Sequence, residues 1–174
     1  YNGYEFKTYR NEINNDDSIV NNYIVSLNED SEGNIWIGTV EGASRLNIYT
    51  DEIKNYKEDV DNNNITDILV TNDGNILLGT IDGLYIYDKA DDRFRRIFEG
   101  EKLNHQEIYS LDEDKNGDIW IGTAKGLTKI NLQNNAYDKF TSENIEGWQF
   151  EELVYKIICD NDNLWIGTLT SGIY

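Results

Sequence analysis

Ile35-Trp36-Ile37-Gly38-Thr39 returns as Ile76-Leu77-Leu78-Gly79-Thr80, as Ile119-Trp120-Ile121-Gly122-Thr123 and as Leu164-Trp165-Ile166-Gly167-Thr168. The glycines follow one another at 41, 43 and 45 residues, and self-similarity at such a period marks a repeat architecture. A shorter apolar segment precedes each block: Ile24 to Asp30, Ile65 to Thr71, Ile108 to Asp114 and Val154 to Asp160. Between segment and block lie Ser31-Glu32-Gly33-Asn34, Asn72-Asp73-Gly74-Asn75 and Lys115-Asn116-Gly117-Asp118, where glycine or asparagine takes positive φ cheaply. The fourth turn, Asn161-Asp162-Asn163, is one residue shorter and has no glycine. Segment, turn and block therefore predict a β-hairpin, repeated four times.

A second glycine turn follows each block, at Gly42, Gly83, Gly126 and Gly172. It leads to a third short strand such as Leu84 to Asp88 or Leu127 to Asn131, then to an aromatic-rich fourth one at Glu52 to Lys57, Arg93 to Phe98 and Ala136 to Phe140. Tyr4 to Tyr9 reads as one more fourth strand. No window shows a sustained helical period, so the fold is predicted to be all-β. The Ile-Trp-Ile run is apolar on both faces of its strand and must be covered on both sides. Four antiparallel strands per period, each small sheet stacked on the next, describe a β-propeller of four four-stranded blades. The blades are expected at about residues 24–57, 65–98, 108–140 and 154–174, the last completed by a strand equivalent to 4–9. Trp36, Leu77, Trp120 and Trp165 read as core between blades, with Gly38, Gly79, Gly122 and Gly167 beside them. A tryptophan that buries about 150–250 Å² contributes on the order of 4 kcal/mol there.

Composition narrows the function. With 33 acidic against 15 basic residues the formal charge is −18, which disfavours any partner held by its phosphates, nucleic acid above all. Apolar runs stop far short of the roughly 18 residues that span a bilayer. One cysteine and one histidine among 174 residues exclude an internal disulfide and a clustered zinc site. The chain has neither methionine, even at position 1, nor proline, from which we expect a piece cut from a longer protein.

The acidic turn, the Ile-Trp-Ile-Gly-Thr block, the glycine after it and the aromatic fourth strand together resemble the two-component regulator propeller repeats. The opening Tyr1-Asn2-Gly3-Tyr4-Glu5-Phe6 resembles that family's blade ending. The resemblance covers the whole chain, with Leu77 in place of a tryptophan and Ala43 in place of a leucine as departures. It implies the sensor portion of a larger membrane-anchored receptor, a hybrid histidine kinase or a diguanylate cyclase, lying outside the cytoplasmic membrane. It also implies a larger ring in the parent, and ligands that are often carbohydrate fragments. It places no set of ligand residues on this sequence.

Searching residue by residue yields no catalytic constellation. Asp112-Glu113-Asp114-Lys115-Asn116-Gly117 matches the first half of a calcium loop, but Thr123 stands where the bidentate glutamate is required and no helix flanks it. No metal site and no cofactor are expected. Carboxylate pairs such as Asp91-Asp92 and Glu151-Glu152 read as solvated surface charge. The variable parts are the connections between blades, at about residues 10–23, 58–64, 99–107 and 141–153, and loops on a rigid scaffold are where binding usually resides. Tyr23 in the first, His105 in the third and Trp148, Gln149 and Phe150 in the last are the candidate ligand contacts. His105, without a partner, reads as a loop residue rather than a catalytic base, and Trp148 and Phe150 have the alternative role of anchoring their loop. The predicted function is a non-enzymatic sensor of a small molecule, with oligosaccharide as the suggested class. The alternatives are a protein-binding scaffold and a carbohydrate-active enzyme. An open arc of four repeats would leave two apolar faces bare, so a homodimer of arcs is expected, each N-terminal strand closing the partner's last blade.

Overall fold

The computed structural model describes residues 3, 6–57, 59, 60, 64–140 and 152–174. Three four-stranded antiparallel sheets follow one another along the chain. The first holds β1 (Ile24–Glu29), β2 (Asn34–Thr39), β3 (Gly42–Asn47) and β4 (Ile53–Tyr56); the second β5 (Ile65–Val70), β6 (Ile76–Thr80), β7 (Gly83–Asp88) and β8 (Arg93–Ile97). The third holds β9 (Ile108–Glu113), β10 (Ile119–Thr123), β11 (Gly126–Ile130) and β12 (Tyr137–Phe140), and a fourth sheet pairs β13 (Val154–Asp160) with β14 (Asn163–Thr168). Ile173 extends that last sheet by a bridge to Gly167, and Tyr174 N–H donates to Ile166 O at 2.9 Å. Every neighbouring pair of strands is consecutive in sequence, the order of a propeller blade.

Each recurring residue type has a job in this frame. Asp30 Oδ1 accepts the Glu32 and Asn34 amides at 2.9 Å each, and Asp30 Oδ2 accepts Trp36 Nε1–H at 2.8 Å. Asp114 repeats this with the Asn116 amide at 2.9 Å and Trp120 Nε1–H at 3.0 Å. Acidic turn and tryptophan are thus one unit, and in the second repeat both change together, to Thr71 and Leu77. Burial alone would raise these carboxyls, but the donors outweigh it and hold both below the usual carboxylate range. The oxygens of Asp114 are therefore engaged in turn and indole bonds, which accounts for the calcium-like spelling of that turn. The threonine after the glycine closes the next turn, with Oγ1 of Thr39, Thr80 and Thr123 donating to the carbonyls of Gly42, Gly83 and Gly126 at 2.7, 2.9 and 2.8 Å.

The sheets meet where the block glycines lack a side chain. A Cβ on Gly38 would stand 2.8 Å from Ile65 Cγ2; on Gly79, 2.8 Å from Ile108 Cγ2; on Gly122, 2.8 Å from Val154 Cγ1. A polar stitch runs beside each contact. Ser26 Oγ accepts the Ile68 amide at 3.2 Å, Asp67 Oδ2 the Leu111 amide at 3.0 Å and Ser110 Oγ the Ile157 amide at 3.1 Å. Ser26, Asp67 and Ser110 each stand opposite the block glycine of their own sheet.

Two expectations are corrected. Residues 6–9 form no strand: Tyr9 donates its hydroxyl to Asp51 at 2.7 Å and packs beside Ile19, Ile37 and Leu46, while Lys7 pairs with the same Asp51. That carboxylate, at the β3–β4 turn, ties the segment to its own first sheet and away from the last strand; Tyr4 and Glu5 lie outside the described residues. Trp165 is not core. It is 46% exposed, against 1% for Trp36, because among the described residues no sheet covers the far side of β14.

Between the outer strands of the first two sheets, Asp92 accepts from the hydroxyls of Tyr56, at 2.8 Å, and Tyr87, with Lys54 and Arg45 beside it. Burial opposes its charge, yet the hydrogen bonds from Lys54, Tyr87 and Tyr56 and the Arg45 charge hold its pKa at about 2. A depressed carboxyl stabilises the fold above its unfolded pKa of about 3.9 and loses that contribution as pH falls through the folded value. Wild-type urea midpoints should therefore decline between about pH 4 and pH 2, and Asp92→Asn should decline less steeply. Parallel curves for the two proteins would remove Asp92 from the acid response.

Candidate functional site

The first strand of every sheet is bulged at its second residue, where the pairing register slips between Ile24 and Ser26, Ile65 and Asp67, Ile108 and Ser110, and Val154 and Lys156. A bulge leaves one residue unpaired and re-aims its side chain. The four residues so placed are Val25, Thr66, Tyr109 and Tyr155, and all four line one pocket of about 560 Å³. It lies where β1, β5, β9 and β13, the innermost strands, come together at the axis of the arc. Val40, in the β2–β3 turn, and Asn64, just before β5, also line it, so the pocket opens at the face bearing the variable connections.

Aromatic rings dominate its rim. Tyr109 and Tyr155 stand with centroids 6.3 Å apart and planes inclined by 33°. Tyr23, 68% exposed, completes the rim from the first connection, its amide fixed by Asn21 Oδ1 at 2.7 Å. The Tyr109 hydroxyl donates to Glu107 Oε2 at 3.2 Å, and burial together with the Glu107 charge pushes that phenol above its ordinary pKa. Lys156 Nζ crosses the axis to within 3.5 Å of Asp67 Oδ2. Asp67 is buried and also accepts from Ser26 Oγ–H and from the amides of Ile68 and Leu111. That set of donors makes Asp67 a structural carboxylate that orients Lys156, while the Lys156 side chain and the rings of Tyr23 and Tyr155 remain open to solvent and Tyr109 is half-buried. The arrangement suits a ligand with flat apolar faces and hydrogen-bonding edges.

Of the sequence-predicted contacts, the structure brings Tyr23 to this pocket. His105 stays in its own connection, where Nδ1 accepts the Glu107 amide at 3.1 Å, and does not line the pocket. Trp148, Gln149 and Phe150 lie outside the described residues. Tyr109, Tyr155, Lys156 and Asp67 were missed by reading the sequence. The signal was there in aligned form: the second residue of each first strand reads Val, Thr, Tyr, Tyr, and the third Ser, Asp, Ser, Lys. A larger cleft of about 720 Å³ lies between the N-terminal segment and β4, but half of the residues lining it are asparagine or acidic, and Asn55 is already bonded across it to Asp16 O and Ser18 O.

Residues 18–41, 59–82 and 102–125 match the two-component regulator propeller repeat. Those three stretches are two-component regulator propeller repeats. Each match runs from the connection that enters a blade, through its first hairpin, to the turn after the block glycine. Over 72 residues the chain is 38% identical to a protein named Histidine kinase P4 from Formosa agariphila, spanning 38% of this chain and 5% of that protein. The extracellular domain of a hybrid two-component system from B. thetaiotaomicron superposes with a TM-score of 0.77 at 22% identity, over 96% of this chain and 22% of its own. A catalytically inactive virginiamycin B lyase from Staphylococcus aureus gives 0.65 at 17% identity, over 98% of this chain and 59% of its own. The two solved structures share the propeller fold with this protein. The chain spans only a small part of the kinase and of the extracellular domain.

Proposed function

We propose that these repeats form a non-enzymatic ligand-sensing module of a bacterial two-component-type receptor, displayed outside the cytoplasmic membrane. The ligand is a small oligosaccharide held in the axial pocket. The repeat type and the kinase relative support signalling, and the extracellular origin of the B. thetaiotaomicron structure supports the location. The observation that carries the ligand class is the placing of Tyr109 and Tyr155 by two bulges, with Tyr23 and Lys156, around one axis. Rings of this kind stack on the C–H face of a sugar, while the ammonium and neighbouring polar groups bond its hydroxyls. The lyase shows that this fold also serves enzymes. Here the axial carboxylate, Asp67, is buried and accepts three hydrogen bonds from Ser26, Ile68 and Leu111 with Lys156 beside it, a structural setting that favours binding over turnover.

Calorimetry with a panel of cello-, xylo- and galacturono-oligosaccharides tests the reading. One class is expected to bind, with no sugar product released on long incubation, and Tyr155→Ala should weaken binding about 10-fold through loss of roughly 1–1.5 kcal/mol of ring contact. Tyr155 is largely exposed, so its removal should leave the melting temperature unchanged. Release of shortened sugars would establish an enzyme instead, and unaltered affinity in Tyr155→Ala would remove the axial pocket from recognition.

A further inference from the structure

One clasp recurs along the outer edge of the arc. In the turn before each fourth strand one residue is held at positive φ, 63° for Asp51 and 49° for Asp92. Each of these carboxylates reaches back to a cation and a tyrosine two residues apart: Asp51 to Lys7 and Tyr9, Asp92 to Lys54 and Tyr56. Between the second and third sheets the same frame stands without its acid. Asn135 takes the turn position at φ 56°, and Arg95 and Ile97 take the places of Lys54 and Tyr56, Arg95 opposite Ile86 as Lys54 is opposite Arg45. A cleft of about 540 Å³ opens there, lined by Arg95, Ile97 and Asn135 together with Phe98, Lys102 and Leu132. Ile97 and Leu132 pack on the core beneath, so the floor is apolar. Arg95 stands 3.6 Å from Asp88, too far for a hydrogen bond, and Lys102 lies over the Phe98 ring at 5.4 Å. Among the described residues no hydrogen bond occupies the Asn135 side-chain amide. Four of the 15 basic residues, Arg93, Arg95, Arg96 and Lys102, fall within ten positions here, which makes this edge a basic island on a chain of charge −18. Arg96 is spent on Asp82 and Gln106, and Glu99 on the rim opposes an anion.

We propose that this cleft is a second ligand site, which takes a small organic acid whose carboxylate occupies the place that the Asp92 carboxylate fills in the preceding interface. Arg95 from the second sheet and the Asn135 amide from the third hold the carboxylate, and Lys102 adds its charge. The acid carries an apolar body because Ile97, where Tyr56 offers a hydroxyl, offers hydrocarbon, and Leu132 and the Phe98 ring continue that surface. The site shares no lining residue with the axial pocket and stands independently of it.

Titrating the isotopically labelled chain with indole-3-acetate and following its amide chemical shifts reads the site. Saturable shifts are expected at Arg95, Ile97, Lys102, Leu132 and Asn135, and none there with the neutral indole-3-acetamide. Arg95→Gln should weaken binding about 10-fold, as loss of a charge-assisted hydrogen bond does, and should fold because Arg95 is exposed. Asn135→Asp supplies the missing carboxylate from within and should abolish binding. Gln133→Glu puts the same charge on the same cleft outside the clasp and should weaken binding by no more than about 3-fold. Glu99→Gln should tighten it. An equal response to acid and amide, or Asn135→Asp that binds like the wild type, overturns the proposal. So does an equal loss in Asn135→Asp and Gln133→Glu, or inorganic phosphate bound as tightly as the acid, because charge alone would then account for binding. Shifts confined to Tyr23, Tyr109 and Tyr155 would move the acid to the axial pocket and overturn it as well.

Discussion

Replacing Trp36 by alanine is expected to lower the unfolding free energy by about 3–5 kcal/mol, the range for emptying a buried aromatic site. The indole is 1% exposed and lies among three rings, with centroids of Tyr56, Tyr87 and Phe94 at 5.6, 4.9 and 5.6 Å. Its Nε1–H also satisfies Asp30 Oδ2, so truncation empties a space between two sheets and removes a donor from the turn that starts the hairpin. Trp165→Ala, at the same repeat position but half exposed, should cost less than about 1 kcal/mol. Urea titration followed by circular dichroism measures both. Equal losses for the two variants would contradict the placement of the sheets.

Gly122→Val should be nearly as damaging, for the opposite reason. The new Cβ would stand 2.8 Å from Val154 Cγ1 and 2.8 Å from Val154 O, and a backbone oxygen of the neighbouring strand cannot step aside as a side-chain end can. Overpacking of this kind costs about 1–3 kcal/mol or more. Gly122 is not among the glycines with positive φ, so its own backbone accepts a side chain and the loss reports the closeness of the third and fourth sheets alone. Gly167→Val provides the control, with the same residue change at the same place in the repeat and no sheet opposite among the described residues. If Gly122→Val kept wild-type stability, the third and fourth sheets would not be packed as described.

The repeat made the fold legible because one block performs several physical tasks at once. Its tryptophan fills the space between sheets, its glycine admits the next strand, and its threonine closes the following turn; each task demands a residue type, so the spelling recurs. Trp165 shows the limit of that logic, since the same letters are buried or exposed according to what lies beyond them, and a repeat unit carries no information about its neighbour. The N-terminal aromatics resemble the other aromatic-rich fourth strands, whereas the deciding partner, Asp51, is 42 residues from Tyr9. Tyr23 could be found because it stands in a connection of variable length. Tyr109 and Tyr155 could not, because each sits in an ordinary-looking strand and only the slipped register turns it to the axis. Comparing the repeats column by column, rather than searching for motifs, is what would have singled them out.

Chemical-shift mapping on the isotopically labelled chain, titrated with the oligosaccharide that binds most tightly in calorimetry, locates the binding site directly. Perturbations are expected to centre on Tyr23, Asp67, Tyr109, Tyr155 and Lys156, at the axis and on the face of the connections. Perturbations confined to the outer strands β4, β8 and β12, or none with any sugar of the panel, would contradict an axial site.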